Sequence, residues 1–120
     1  LKTSRNLISI IVRNLLDNAV DYSPRRGVIN ISAHYDRLIS SATIRVSNQN
    51  TTLSSEDCER MFELFWRGHS GDKAHRHAGL GLGLCRRIVH ILNGELKARL
   101  IEGGQIVEFI CTFPCETLGD

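Results

Sequence analysis

The chain has 120 residues and a mass of 13.5 kDa, a size that predicts one domain with one hydrophobic core. Hydrophobic residues make up 42% of it and charged residues 23%, which excludes the polar composition of a disordered protein. The net charge of +2 is too small to favour nucleic acid or an anionic membrane as the partner. No apolar run is long enough for a membrane span and no signal peptide is recognisable. Because the chain begins within a helical pattern, we expect a soluble domain of a longer protein.

The first half of the chain predicts a long helix and two strands. Apolar residues recur on one arc of residues 3–22, and Ser23-Pro24 ends that helix. Residues 28–35 and 42–46 alternate in the way that strands do. The arc of the helix contains Ile8, Ile11, Val12, Leu15, Leu16, Ala19 and Val20. The expected inner face of the first strand contains Ile29, Ile31, Ala33 and Tyr35.

A short helix is predicted after a polar loop. Ser54 or Ser55 followed by acidic residues is a good helix start. We expect this helix to carry Met61 and Phe62 and to end near Phe65. Residues 67–78, rich in glycine, histidine and basic residues, predict an exposed loop.

The last third of the chain predicts a second long helix and a hairpin. The helix runs from Gly79 or Gly81 to Leu92, with Asn93-Gly94 as its stop signal. Residues 95–101 and 105–113 alternate around a glycine pair, which predicts two strands and a tight turn. This order of elements predicts an α/β (α+β) two-layer sandwich, in which helices cover one face of a mixed, mostly antiparallel sheet. Residues 1–120 then form a single domain.

The four cysteines do not indicate a metal site. They include no Cys-x-x-Cys pair and lie among apolar neighbours, as free buried thiols do. We therefore expect a reducing, cytoplasmic setting. A zinc site of His75, His77 and Cys85 is the alternative, but its spacing matches no common zinc pattern.

Two patterns could carry chemistry. Asn14 and Asn18 lie four positions apart, so their carboxamides project from one helix face, where their oxygens could bind Mg²⁺. A solvated helix face is the alternative. The glycine-rich run 79–83 leads into a helix and offers backbone N–H groups to a phosphate chain. It lacks the Lys of a Walker A loop, and close packing of a glycine-faced helix on the sheet is its alternative.

Three segments together resemble a known family. NLLDNAVDYSP (14–24), MFELFWRG (61–68) and AGLGLGLCRRIV (78–89), in this order, are similar to the N, F and G2 boxes of sensor histidine kinase catalytic domains. Those domains belong to the Bergerat-fold ATPases of the GHKL superfamily. The resemblance covers nearly the whole chain.

The resemblance implies a role for individual residues. Asn18 matches the residue that holds Mg²⁺, and Asn14 matches a polar residue that supports the phosphates or catalysis. Arg67 matches a basic residue near the phosphates, and residues 67–78 match the ATP lid. Phe62 and Phe65 match the two aromatic residues that anchor the lid. The implied nucleotide contacts are Asn18, Tyr22, Asn48, Phe65, His77, Gly79, Leu80, Gly81 and Leu82.

The G1 box departs from the family. It normally reads Asp-x-Gly-x-Gly, whereas this chain has Asn48-Gln49-Asn50-Thr51-Thr52. Asn48 can still accept a hydrogen bond from the adenine amino group, at a cost of about 1 kcal/mol for the lost charge. Asn50 is the next best residue where glycine supplies a positive φ, and a β-branched Thr52 would be strained there. We therefore expect a rebuilt loop.

The resemblance implies the catalytic and ATP-binding domain of a bacterial two-component histidine kinase. It would use ATP and Mg²⁺ and donate the γ-phosphoryl group to a histidine on a separate dimerisation domain, which in turn serves a response regulator. By itself this fragment would be a monomer that does not autophosphorylate. We expect it in the cytoplasm, and the whole protein could have an anchor in the inner membrane. The alternative is a degenerate domain that binds nucleotide weakly or not at all and acts as an interaction module.

Overall fold

The computed structural model describes residues 2–24, 26–50, 53–63 and 81–115. Within these ranges the helices and strands form two layers, as predicted. The four strands form one sheet in the order β1-β2-β4-β3, and every neighbouring pair is antiparallel. The elements in chain order are α1 (Lys2–Tyr22), β1 (Ile29–Asp36), β2 (Ser41–Gln49), α2 (Ser55–Arg60), α3 (Gly81–Ile91), β3 (Glu95–Ile101) and β4 (Ile106–Pro114).

The hydrophobic core lies between the helices and one face of the sheet. A row of paired residues crosses all four strands on this face: Ile31, Val46, Phe109 and Ala98. Val46 and Phe109, on the central strands, are fully buried, whereas Ile31 is 52% exposed. The reason is that α1 packs mainly against β2 and α3. The predicted inner face of β1 is therefore only partly covered by the described residues.

Helix α1 buries the centre of its predicted apolar arc. Ile11, Leu15 and Ala19 are fully buried. Val20 was also assigned to the arc, and this was wrong, because its side chain is 49% exposed. It lies about 140° around the helix from Leu15, at 100° per residue. No helix in the described ranges is long and apolar enough to cross a membrane.

Helix α2 starts as predicted and ends earlier. Ser54 is its N-cap and forms a capping box with Asp57, whose backbone N–H donates to the Ser54 hydroxyl at 3.2 Å. The last helical residue is Arg60, so the predicted end near Phe65 was wrong. The backbone N–H of Met61 donates the final helical bond to Asp57. The next bond, from the N–H of Glu63 to the carbonyl of Arg60, spans three residues instead of four and so forms a tighter turn. Met61 and Phe62 are buried in this turn rather than on the helix.

The predicted stop signal ends α3. Asn93 takes a left-handed φ of 62°. Its backbone N–H donates to His90, and that of Gly94 donates to Val89 at 2.8 Å, which is the pattern of a Schellman motif. Gly94 lies so close to β4 that a Cβ there would reach within 2.7 Å of the Phe113 Cβ. The hairpin between β3 and β4 also turns as predicted, with positive φ at Gly103 and Gly104.

The cysteines are free thiols, as predicted. Cys58, Cys85 and Cys111 are buried, and Cys115 is half-buried. Burial raises the pKa of Cys85 and of Cys111 to about 12, and the neighbouring Cys111 contributes to the rise at Cys85. Both groups therefore stay protonated near neutral pH.

Candidate functional site

Two asparagines of α1 meet the start of α3. Asn14 and Asn18 lie one turn apart on α1, and Gly81 is the first residue of α3. A Cβ placed on Gly81 would lie 3.5 Å from Asn14 Oδ1 and 3.6 Å from Asn18 Nδ2. The structure therefore brings together three residues that sequence analysis assigned to a single site. Because α1 and α3 pack directly against each other, the packing of these helices sets the relative positions of the three half-buried residues.

The orientation of Asn18 suits a cation. Its Nδ2 donates to the backbone carbonyl of Asn14 at 2.9 Å. This bond uses the donor side of the amide, so the carbonyl oxygen Oδ1 is the atom that remains for a metal ion. Amide oxygens are hard ligands of the kind that Mg²⁺ accepts. At the start of α3 the backbone N–H groups lack helical partners and carry the positive end of the helix dipole, which suits an anion.

Asn48 is buried at the end of β2 with one atom unsatisfied. The residue is 2% exposed. Its Nδ2 donates to the backbone carbonyl of Gln49 at 2.8 Å, which fixes the orientation of the amide. Among the described residues, its Oδ1 has no hydrogen-bond partner. A buried acceptor without a donor costs about 1–3 kcal/mol, so this atom fits a ligand that donates a hydrogen bond.

The loop after β2 is built differently from the expectation. Asn50 does not have a positive φ, so it does not replace a glycine by its backbone conformation. Its side chain instead forms hydrogen bonds with Leu53 and with Gly104 of the β3–β4 turn. Sequence analysis missed this role. The available signal was the tendency of asparagine to bond the backbone two or three residues ahead. Thr51 and Thr52 lie outside the described residues.

Two further predicted residues belong to the core. Leu82 is 4% exposed, so only its backbone is available to a ligand at the start of α3. Phe62 is 8% exposed and lies under the guanidinium of Arg86, 4.4 Å from the ring centre. This cation–π contact joins the turn after α2 to α3.

Several predicted site residues lie outside the described residues. These are Phe65, Arg67, His77, Gly79 and Leu80, together with the lid assigned to residues 67–78. Tyr22 ends α1, but its side chain is not among those described. The roles of these residues stay predictions.

Comparison with known proteins gives a family and a fold. Residues 3–117 match the family described as histidine kinase-, DNA gyrase B-, and HSP90-like ATPase. Sensor protein CreC of Escherichia coli is 29% identical over 101 residues, which cover 84% of this chain and 21% of that protein. Sensor-like histidine kinase SenX3 of Mycobacterium tuberculosis is 33% identical over 97 residues, which cover 78% of this chain and 22% of that protein. The chain thus spans about a fifth of the length of these curated relatives.

Solved structures agree with this. The catalytic domain of histidine kinase ThkA superposes with a TM-score of 0.74 at 26% identity, covering 92% of this chain and 67% of that one. The mycobacterial sensor histidine kinase MprB gives a TM-score of 0.77 at 21% identity, covering 91% of this chain and 72% of that one, and supports the fold alone. Taken with the family match over residues 3–117, these findings show that the chain belongs to the histidine kinase-, gyrase- and HSP90-like ATPase family, in the fold of histidine kinase catalytic domains.

Proposed function

We propose that this chain is the catalytic and ATP-binding domain of a sensor histidine kinase. The observation that carries the proposal is the meeting of Asn14, Asn18 and Gly81, where two carboxamides face the start of a helix, Asn14 through its oxygen and Asn18 through its nitrogen. A hard cation and a chain of phosphates need this combination of groups. The relatives named as a sensor protein and as a sensor-like histidine kinase support the same activity, and they do not favour a degenerate interaction module.

Asn18 would hold Mg²⁺ through Oδ1, since its Nδ2 is engaged by Asn14. The metal supplies charge neutralisation on the phosphates when it is bound. Asn14 would support the phosphates from one turn earlier, and the backbone N–H groups of Gly81 and Leu82 would complete the contacts at the start of α3. We assign Gly79, Leu80, His77 and Arg67 to the same phosphate region from their positions in the family boxes.

Asn48 would recognise the base. Its buried Oδ1 accepts a hydrogen bond and is held in that orientation by the bond from Nδ2 to Gln49. Adenine offers an exocyclic amino group, which is a donor, whereas guanine presents an acceptor at the corresponding position. Asn48 therefore favours ATP over GTP. Tyr22 and Phe65 would flank the nucleotide, as their places in the family boxes indicate.

In the reaction that we propose, the bond between the γ-phosphorus and its bridging oxygen breaks, and ADP leaves with that electron pair. A bond then forms between phosphorus and an imidazole nitrogen of a histidine on the dimerisation domain. The chain described here binds and orients the triphosphate, because phosphoryl transfer depends mainly on positioning and charge neutralisation. The acceptor histidine and a response regulator are the partners, and we place the domain in the cytoplasm, as a monomer when isolated.

Calorimetric titration of the domain with ATP and GTP, with and without Mg²⁺, tests the proposal. The expected result is micromolar binding of ATP that needs the metal, with weaker binding of GTP. A folded protein that shows no heat at millimolar ATP would overturn the proposal and favour the interaction module. Mixing the domain with a dimerisation domain and ATP then tests the transfer, which should label the histidine.

A further inference from the structure

The side chain of Asn50 ties together three segments of the chain. Its Nδ2 donates to the carbonyl of Leu53 at 2.8 Å and to the carbonyl of Gly104 at 2.8 Å. Its Oδ1 accepts from the backbone N–H of Leu53 at 2.8 Å. The backbone N–H of Asn50 donates to Gln105 at 2.7 Å. The end of β2, the approach to α2 and the β3–β4 turn are therefore held by one residue.

These contacts need a carboxamide. Both hydrogens of the Asn50 amide are donated, and its oxygen accepts, so the group uses donors and an acceptor at the same time. Alanine would lose all three bonds. Aspartate would retain the acceptor but turn a second oxygen towards the carbonyls of Leu53 and Gly104. Serine, which forms similar but weaker turns, would retain part of the set.

The fixed loop adjoins the buried acceptor of Asn48. Asn48 lies two residues before Asn50, and it pairs with Val107 of β4 just beyond the turn that Asn50 contacts. The backbone of Leu53 forms hydrogen bonds with both the nitrogen and the oxygen of the Asn50 amide, and Leu53 itself is only 7% exposed. Backbone pairing with β4 and its turn fixes the chain from Asn48 to Asn50. The Asn50 side chain then fixes Leu53 and the turn, at a point where the family normally has glycine.

We propose that Asn50 is a positioning residue for base recognition. Its hydrogen bonds hold the chain that follows Asn48, so that Asn48 Oδ1 stays in position to accept from the base. They also link this position to the β3–β4 turn. The inference rests on the proposed nucleotide-binding function. It predicts an effect on the choice between bases, which a residue that merely stabilises the fold would not have.

The test compares the dissociation constants of ATP and GTP, both with Mg²⁺, for the wild type, Asn50→Ala and Asn50→Ser. The matched control is Asn30→Ala, which removes an exposed asparagine of β1. In Asn50→Ala we expect ATP binding to weaken by about tenfold with little change for GTP, so the preference for ATP falls by about the same factor. Asn50→Ser should lie between Asn50→Ala and the wild type, and Asn30→Ala should match the wild type.

Equal losses for ATP and GTP, or unchanged ATP binding in a folded Asn50→Ala, would overturn the inference while the proposed function stands. If the wild type itself fails to bind ATP, the proposed function falls and the inference falls with it. Circular dichroism and urea unfolding show whether each variant is folded. If Asn50→Ala does not fold, Asn50→Ser gives the answer by the same ratio of dissociation constants.

Discussion

Asn18 donates its side-chain N–H to the backbone carbonyl of Asn14, one turn earlier on α1, at 2.9 Å. The bond decides which end of the Asn18 amide faces outward. Without it, rotation by 180° about the last side-chain bond would exchange oxygen and nitrogen at nearly no cost in shape. With it, Nδ2 is held on the side of Asn14 and Gly81, and Oδ1 is the atom left for a ligand. The backbone of α1 therefore orients the proposed metal ligand.

The first prediction concerns this oxygen. Asn18→Ala should abolish Mg²⁺-dependent ATP binding, because it removes the proposed ligand. The fold should be retained, because the hydrogen bond of this side chain within the described residues is a local one to Asn14. Calorimetric titration with a Mg²⁺ series measures the effect, and Asn30→Ala, an exposed position on β1, is the control. ATP binding with an unchanged Mg²⁺ dependence would refute the assignment of Asn18.

A second prediction uses the space beside Gly81. A Cβ there would lie at ordinary contact distance from Asn14 and Asn18, and no backbone strain opposes it. Alanine also has a higher helix propensity than glycine, by about 1 kcal/mol in a helix interior. Gly81→Ala should therefore leave stability equal or slightly higher and weaken ATP binding about tenfold, because the methyl group occupies the space between the carboxamides and the start of α3.

Urea unfolding and calorimetric titration measure the two effects of Gly81→Ala. Gly103→Ala is a useful contrast, since φ at Gly103 is +67° and the loss there should appear mainly in stability. Unchanged nucleotide affinity in Gly81→Ala would mean that the phosphates do not approach this point.

A third prediction concerns Asn48→Asp, which restores the acid found in the family. ATP binding should tighten several-fold, by about 1 kcal/mol, through a charge-assisted bond to the amino group of the base. The free protein should lose stability, since Gln49 loses its donor and a buried carboxylate appears at a position that is 2% exposed.

Burial should raise the folded pKa of the carboxyl introduced by Asn48→Asp above its unfolded value of about 3.9. The loss of stability should then be smallest at acid pH and grow as the pH rises through the folded pKa. Urea unfolding at several pH values measures this trend. A loss that does not depend on pH would contradict it.

A fourth prediction addresses the outer face of the sheet. Glu108 is 9% exposed, and its Oε1 accepts from Arg99 at 2.8 and 2.9 Å and lies 3.5 Å from Arg45. Glu108→Gln should lower the unfolding free energy by about 1 kcal/mol, because the guanidinium groups of Arg45 and Arg99 lose the negative charge with which both are paired. Glu95→Gln is the control, since Glu95 is paired with Lys97 but fully exposed and should change little.

Urea unfolding at low and high salt compares the two variants. The Glu108→Gln loss should shrink with added salt, because both arginines are about half exposed. Equal effects of the two substitutions would show that burial of the carboxylate does not matter.

A fifth prediction follows from the thiols. Burial raises the pKa of Cys85 and of Cys111 to about 12, so both thiols stay protonated and unreactive at pH 8. Burial also raises the pKa of Cys58, and the charge of Asp57 adds to this. Iodoacetamide should therefore modify the half-buried Cys115 first, and the other three only after unfolding. Mass spectrometry of peptides over time measures the order, which rapid modification of Cys85 in folded protein would contradict.

Sequence reasoning succeeded where neighbouring residues decide the structure. The start of α2 at Ser54 or Ser55, the stop signal Asn93-Gly94 and the turn at Gly103 were predicted correctly, because each depends on bonds or angles within a few positions. Three family boxes were also sufficient to predict the fold. The sequence was insufficient where packing decides burial. Val20 belongs to the apolar pattern of α1, yet its side chain is exposed. Sequence reasoning also failed at the end of α2. There the last helical hydrogen bond runs from Met61 to Asp57, and the next bond, from Glu63 to Arg60, closes a tighter turn.

The sequence by itself determined the elements, their order and the residue types available for a nucleotide site, because propensity, capping and periodicity act over short stretches of chain. Only the tertiary structure decided that Gly81 meets Asn14 and Asn18, and that Asn50 bonds Gly104, 54 positions along the chain. It also decided that, among the described residues, the side-chain oxygen of buried Asn48 is left without a partner. Such contacts depend on how helices and sheet pack around a common core, and no local pattern specifies the distance between residues so far apart in sequence.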